Sequence, residues 1–150
     1  MSFEEKVTWV SLVVTVLATL WYAWTVIAQA GGLAASEVAY QRPLLLAIGA
    51  MIVLTIAGTI AMAIGTAIRV EVTGEGSVSD IDRTDERDAS IGARGDRAAF
   101  YTSSVLMVAV LAIAMLEWPH FWIANGLFAA FVAGSLVSSS VKLRAYRRGF

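Results

Sequence analysis

The chain is predicted to be an all-α integral membrane protein. It would be a bundle of four transmembrane helices, built as two helical hairpins within one domain spanning residues 1–150. Three observations predict this. First, 58% of the residues are apolar, more than a water-soluble domain of this size can hide. Second, the apolar residues gather in four runs, residues 7–29, 43–68, 98–116 and 118–141, none of which contains an Asp, Glu, Lys or Arg. A helix needs about 20 apolar residues to cross a hydrocarbon core of roughly 30 Å. The runs are continuous rather than alternating, which points to helices and not to barrel strands. Third, ten of the eleven Lys and Arg residues fall on one side of the topology these runs imply.

The first run begins after Ser2-Phe3-Glu4-Glu5-Lys6. This lead is acidic and the run behind it is long, unlike a cleavable signal peptide. Ser2 and Glu5 have the spacing of a capping box, so the first helix should start at Ser2. Trp9 lies near one end of this run, and Trp21, Tyr22 and Trp24 lie near the other. Tyr40, Trp118, Phe121 and Trp122 mark that second level again, as expected of aromatic rings at a membrane interface.

The second run opens with Pro43, which suits a first helical turn. It carries Ala57, Ala61 and Gly65 at four-residue spacing. The fourth run opens near Pro119 and carries Gly126, Ala130, Gly134 and Ser138 at the same spacing. Helices in lipid associate through small residues that let their backbones approach. Both stripes are therefore expected to pack helices, either within the bundle or against a second copy or a partner. The longer stripe, on the fourth run, is the better place for an external contact.

Charge sets the topology. The N-terminal lead holds Lys6, and the segment 69–97 holds Arg69, Arg83, Arg87, Arg94 and Arg97. The tail holds Lys142, Arg144, Arg147 and Arg148, while Arg42 alone lies on the opposite side. The positive-inside rule puts the ten-residue side in the cytosol, with both termini.

Segment 69–97 is the one sizeable stretch outside the runs. It turns through Gly74-Glu75-Gly76-Ser77, and from about Asp80 it reads as a charged helix leading into the third run. At about 100° per residue, Arg83, Arg87, Arg94 and Arg97 fall within roughly 80° of one another, with Asp82, Asp85, Asp88 and Asp96 opposite. Gly92 and Gly95 argue against a continuous helix, since each costs about 1 kcal/mol in a helix interior. A segment segregated in this way would be a solvated helix, a contact for anionic lipid, or a docking surface for a protein. The residues offered for that contact are Arg83, Asp85, Glu86, Arg87, Ile91, Arg94 and Arg97.

The stretch Asp85-Glu86-Arg87-Asp-Ala-Ser-Ile91 resembles a family of small bacterial membrane proteins. These carry an Asp-Glu-Arg-x-x-x-Ile motif between the second and third of about four helices. The resemblance covers the second half of the chain. It implies a bacterial inner-membrane location and a role for Asp85, Glu86, Arg87 and Ile91. It implies no reaction.

The residues themselves carry no catalytic constellation. There is no cysteine, which excludes disulfides and thiolate chemistry. No nucleophile–base pair or phosphate-binding Gly-rich loop is present. Thr15, Thr19, Thr25, Thr55, Thr59 and Thr66 are read as bonding their own helices. A metal is not expected. The one grouping with the right donors is His120 with Glu117 in the outer turn and Glu37 in the first outer loop. The absence of charge inside the runs counts against a pump or an ion-coupled carrier. The sequence is therefore read as a non-enzymatic inner-membrane subunit or interaction protein without a cofactor. Its partners would be membrane lipid and a protein or second copy, and nucleic acid is not expected. The alternative is an oligomeric permease for a small molecule or ion.

Overall fold

A computed structural model of the chain describes residues 2–34, 37–73 and 86–148, with only the backbone course given for residues 69–73. The described residues form four helices, α1 (Phe3–Ala30), α2 (Gln41–Thr73), α3 (Glu86–Met115) and α4 (His120–Arg148). Each is long and apolar enough to cross a membrane.

Local chemistry sets the ends. Ser2 is the N-cap of α1, and its Oγ accepts the Glu5 N–H at 3.2 Å, as the capping-box spacing predicts. Gly31 and Gly32 close α1, Gly32 at φ 98°, a conformation open to glycine. The turn between α3 and α4 is tighter. Trp118 N–H donates to Ile113 O at 3.3 Å and Glu117 N–H to Ala114 O at 3.1 Å, the bond pair of a Schellman motif. Glu117 occupies its left-handed position at φ 55°, a conformation that costs an L-residue about 1–2 kcal/mol. Pro119 then stands just before α4.

The segment 69–97 is largely helical where described. α2 continues through Thr73, and α3 runs from Glu86 without a break at Gly92 or Gly95. Residues 69–73 and 86–97 are thus extensions of the long helices, not loop. Asp80, Asp82, Arg83 and Asp85 lie outside the described residues.

The two hairpins are α1 on α2 and α3 on α4, joined by α1 packing on α4. α2 and α3 share no comparable interface, so the helices form an open row, α2–α1–α4–α3, rather than a closed bundle. The core lies toward the end away from the termini. There Tyr22 and Phe128 meet edge to face at 5.1 Å, and Tyr40 meets Phe121 at 5.2 Å. Leu44, Ala47 and Met51 of α2 complete this cluster. Tyr22 O–H donates to Asn125 Oδ1 at 2.6 Å, so the phenol is satisfied where water is excluded. Thr15 and Ser135 pair across the α1–α4 contact at 3.3 Å. Thr25, Thr59 and Thr66 donate to carbonyls four residues back in their own helices.

The small-residue stripe of α4 is the seam with α3. Ala130 is fully buried, and Ser103 Oγ donates to its carbonyl oxygen at 3.1 Å. A Cβ on Gly126 would sit 2.8 Å from Val110 Cγ2; one on Gly134 would strike Ser103 Oγ and lie 3.3 Å from Ala99 O. Of the two expectations for the α4 stripe, the structure shows packing within the chain, and the stripe is not left open for an external contact. The stripe that stays open is on α2, where Ala57, Ala61 and Gly65 are all exposed.

The two stripes should respond oppositely to added bulk. Gly134→Leu forces α3 from α4 and should destabilise the fold by at least the roughly 1–3 kcal/mol typical of overpacking. At Gly65 an added Cβ meets nothing within 4 Å, so Gly65→Ala should be neutral or gain up to about 1 kcal/mol of helix propensity. Thermal unfolding in a mild detergent compares the two; equal losses would contradict this assignment of faces.

Candidate functional site

The end of the molecule that holds the termini also collects most of the charge. Three contacts build it. Asp96 of α3 pairs with Lys142 of α4 at 2.8 Å and accepts from Ser138 Oγ at 3.4 Å. The aliphatic stem of Lys142 lies across Gly95, where a Cβ would come within 2.6 Å of Lys142 Cγ and Cε. Gly95 therefore allows the side chain of α4 to pass over α3. The ion pair is partly solvated, with the Asp96 side chain 72% exposed, so its stabilisation is about 0–1 kcal/mol. Its larger consequence is register, because it joins the last acid before the third apolar run to the first base after the fourth.

The second contact is Tyr146, whose hydroxyl interacts with Asp88 of α3 and Ser2 before α1. Three chain segments meet at this one group, which lies beyond the apolar run of α4. Its pKa is pushed up to about 12, first by burial and then by the Asp88 charge. Burial disfavours the phenolate, and a neighbouring carboxylate repels it. The third contact is Arg147 over the Trp9 ring, 5.7 Å from its centroid. Nearby, Lys6 Nζ donates to Thr66 Oγ1 at 3.5 Å, joining the same ends of α1 and α2.

These contacts divide the charge-segregated segment. Of its acidic side, the two described residues contact the chain itself, Asp88 at Tyr146 and Asp96 at Lys142 and Ser138. Ile91 is 1% exposed, the most completely buried large side chain among the described residues. The motif residues thus part company. Ile91 anchors α3, whereas Glu86 and Arg87 are exposed, as are Arg94 and Arg97. Asp85 and Arg83 lie outside the described residues.

Sequence reasoning placed Ser138 only in the packing stripe and Lys142 only among the charges of the tail, and it did not single out Tyr146. The signal for them was faint. The Gly126–Ser138 stripe continues in four-residue steps to Lys142, so the helix face that packs along the apolar run also packs beyond it.

Two further places bear on chemistry. Among the described residues no three His, Cys, Asp or Glu side chains come together to hold a metal ion, so Glu37, Glu117 and His120 do not form a site. A groove of about 460 Å³ lies between α1 and α4, lined by Thr19, Tyr22, Ala23, Asn125, Ala129 and Ala133 among others. Most of its surface is apolar. Comparison with protein-family models, with curated proteins and with solved structures finds no match.

The Tyr146 junction gives a pH signature. The folded-state pKa lies above the ordinary 10, so the junction's contribution is complete below pH 10. It is lost as pH rises from about 10 to 12, because the unfolded phenol gives up its proton first. The stability difference between the parent chain and Tyr146→Phe should be flat below pH 10 and change across that window. Melting temperatures in detergent at stepped pH measure it. A difference constant to pH 12 would remove Tyr146 from the junction.

Proposed function

We propose that the chain is a multi-pass protein of the bacterial inner membrane with both termini in the cytosol. It acts without catalysing a reaction, as a small subunit or interaction partner of another protein. The contact surface is the outward face of the first turns of α3, centred on Glu86 and Arg87. The observation that carries this reading is the division of charge on α3. Asp88, Asp96 and Ile91 are spent on holding the helix to the rest of the chain, while Glu86 and Arg87 on the same turns remain exposed. A helix held in this way presents its outer side chains in fixed positions, which lowers the entropy lost on association.

The orientation rests on the basic residues. Lys6, Arg87, Arg94, Arg97, Lys142, Arg144, Arg147 and Arg148 lie at the termini-bearing end of the described helices, with Arg42 at the other, the distribution expected of a cytosolic face. A permease would need a polar route across the span. Instead the aromatic and aliphatic cluster fills one end of the α1–α2–α4 contact, and Tyr22 with Asn125, and Thr15 with Ser135, satisfy each other. Within the bilayer, the open stripe Ala57, Ala61 and Gly65 on α2 offers close approach to a helix of a second copy or of the partner.

One experiment in intact cells tests location and docking together. Cysteines at Ser77 and Gly149 should resist a membrane-impermeant maleimide, while one at Ser36 should react. In the same strains, Glu86→Ala and Arg87→Ala should each reduce recovery of the co-purifying protein several-fold and leave membrane insertion unchanged. Labelling at Ser77 in sealed cells would overturn the orientation. Unchanged recovery in both variants would remove this face as the contact.

A further inference from the structure

The arginines further along α3 do a different job from Glu86 and Arg87. Arg97 is the last charge before the apolar run of α3 and is exposed. The acid beside it, Asp96, is taken by Lys142 and Ser138. Among the described residues Arg97 has no hydrogen-bond or ion-pair partner. Its height is fixed, because the Asp96–Lys142 pair brings the charged boundaries of α3 and α4 to the same level. Arg97 therefore stands where hydrocarbon gives way to headgroups.

The residues along the same face are suited to lipid. At about 100° per residue, Arg94, Arg97, Tyr101, Val105 and Val108 fall within an arc of roughly 80°. Tyr101, Val105 and Val108 are 63%, 70% and 67% exposed, and only 6% of α3's apolar window is buried within the chain. The rise from Arg97 to Val108 is about 16 Å at 1.5 Å per residue, close to half of a hydrocarbon core of roughly 30 Å. The ring of Phe100 stands beside that of Tyr101, their centroids 5.8 Å apart. A cation at the boundary followed by an apolar strip one leaflet deep complements a molecule with an anionic head and a hydrocarbon tail. An acidic segment of a soluble protein would match the arginines but could not follow the strip into the bilayer.

We infer that this face of α3 seats one anionic phospholipid, its phosphate on Arg97 with Arg94 alongside, and an acyl chain lying along Tyr101, Val105 and Val108. Guanidinium groups bind phosphate oxygens in pairs of parallel hydrogen bonds, and a basic residue near an anionic surface contributes about 1 kcal/mol. The inference requires insertion in a bilayer, as proposed above, but not the docking of a protein at Glu86 and Arg87.

Native mass spectrometry of the full chain tests it. Protein from nanodiscs of mixed phosphatidylglycerol and phosphatidylcholine should retain one phosphatidylglycerol in preference. Arg97→Ala should lower that preference about fivefold, the equivalent of the ~1 kcal/mol expected for one charge. Arg97→Lys should keep part of it. Arg97 is exposed, so melting temperatures of the variants should match the parent. Inorganic phosphate at millimolar concentration should fail to displace the lipid. Equal retention of the two lipids, an unchanged preference in Arg97→Ala, displacement by phosphate alone, or binding of an acidic protein in place of lipid would each overturn the inference. Failure of the chain to enter nanodiscs would instead count against membrane insertion itself.

Discussion

The close approach of α3 to α4 is the constraint from which the arrangement of this molecule follows. Hydrocarbon gives apolar side chains no reason to leave it, so two helices in such a setting adhere only where their surfaces fit. Gly126, Ala130 and Gly134 provide that fit by keeping one side of α4 nearly flat. Ser103 takes advantage of it by donating to a helix carbonyl, the Ala130 oxygen, at 3.1 Å. Once the seam is set, the antiparallel register carries Gly95 under Lys142, Asp96 to its ammonium, and Asp88 to Tyr146. Ile91 is buried by the same continuation. The charged turns of α3 are therefore ordered by packing that begins in the apolar region, with modest help from their own electrostatics.

The number of helices and the N-cap at Ser2 were legible from the sequence, because charge is excluded from a span and a cap has a fixed spacing. The helix limits were not, since α2, α3 and α4 run on past the apolar runs to Thr73, from Glu86 and to Arg148. The division of labour among the small-residue stripes was not. Gly134 and Gly65 have identical local signatures, and only the neighbour across the gap separates them, Ser103 in one case and open space in the other. The charge-segregated segment was half legible. Its helical reading holds for the described residues from Glu86 onward. It did not say which side would be turned inward, since that depends on Lys142 and Tyr146, some fifty residues away in the chain. Gly95 was misleading for a similar reason. Its helix propensity is poor, yet a larger residue would exclude the Lys142 stem.

The open row has consequences for how the protein meets its surroundings. α1 and α4 each have a helix packed on both sides, whereas α2 and α3 stand at the ends of the row and each turn one broad apolar side outward. α3 carries exposed charged residues at one end, Glu86, Arg87, Arg94 and Arg97, and α2 carries its small residues within the apolar run. A chain built in this way has few polar groups to spare for transport and two free edges for association. This favours the reading of a subunit over that of a permease.

The central claim is that the α4 stripe is an intrachain seam with α3. The chain has no cysteine of its own, so a disulfide test is clean. The Ser103→Cys, Ala130→Cys double variant, oxidised in native membranes, should form a bond within one chain, seen as a faster-migrating monomer under non-reducing conditions. Ser103→Cys paired with Ala57→Cys should form none within the chain, because α2 and α3 are at opposite edges of the row. Crosslinks at Ser103 and Ala130 that appear only between chains, or ready crosslinking of Ser103 to Ala57 within one chain, would contradict the account.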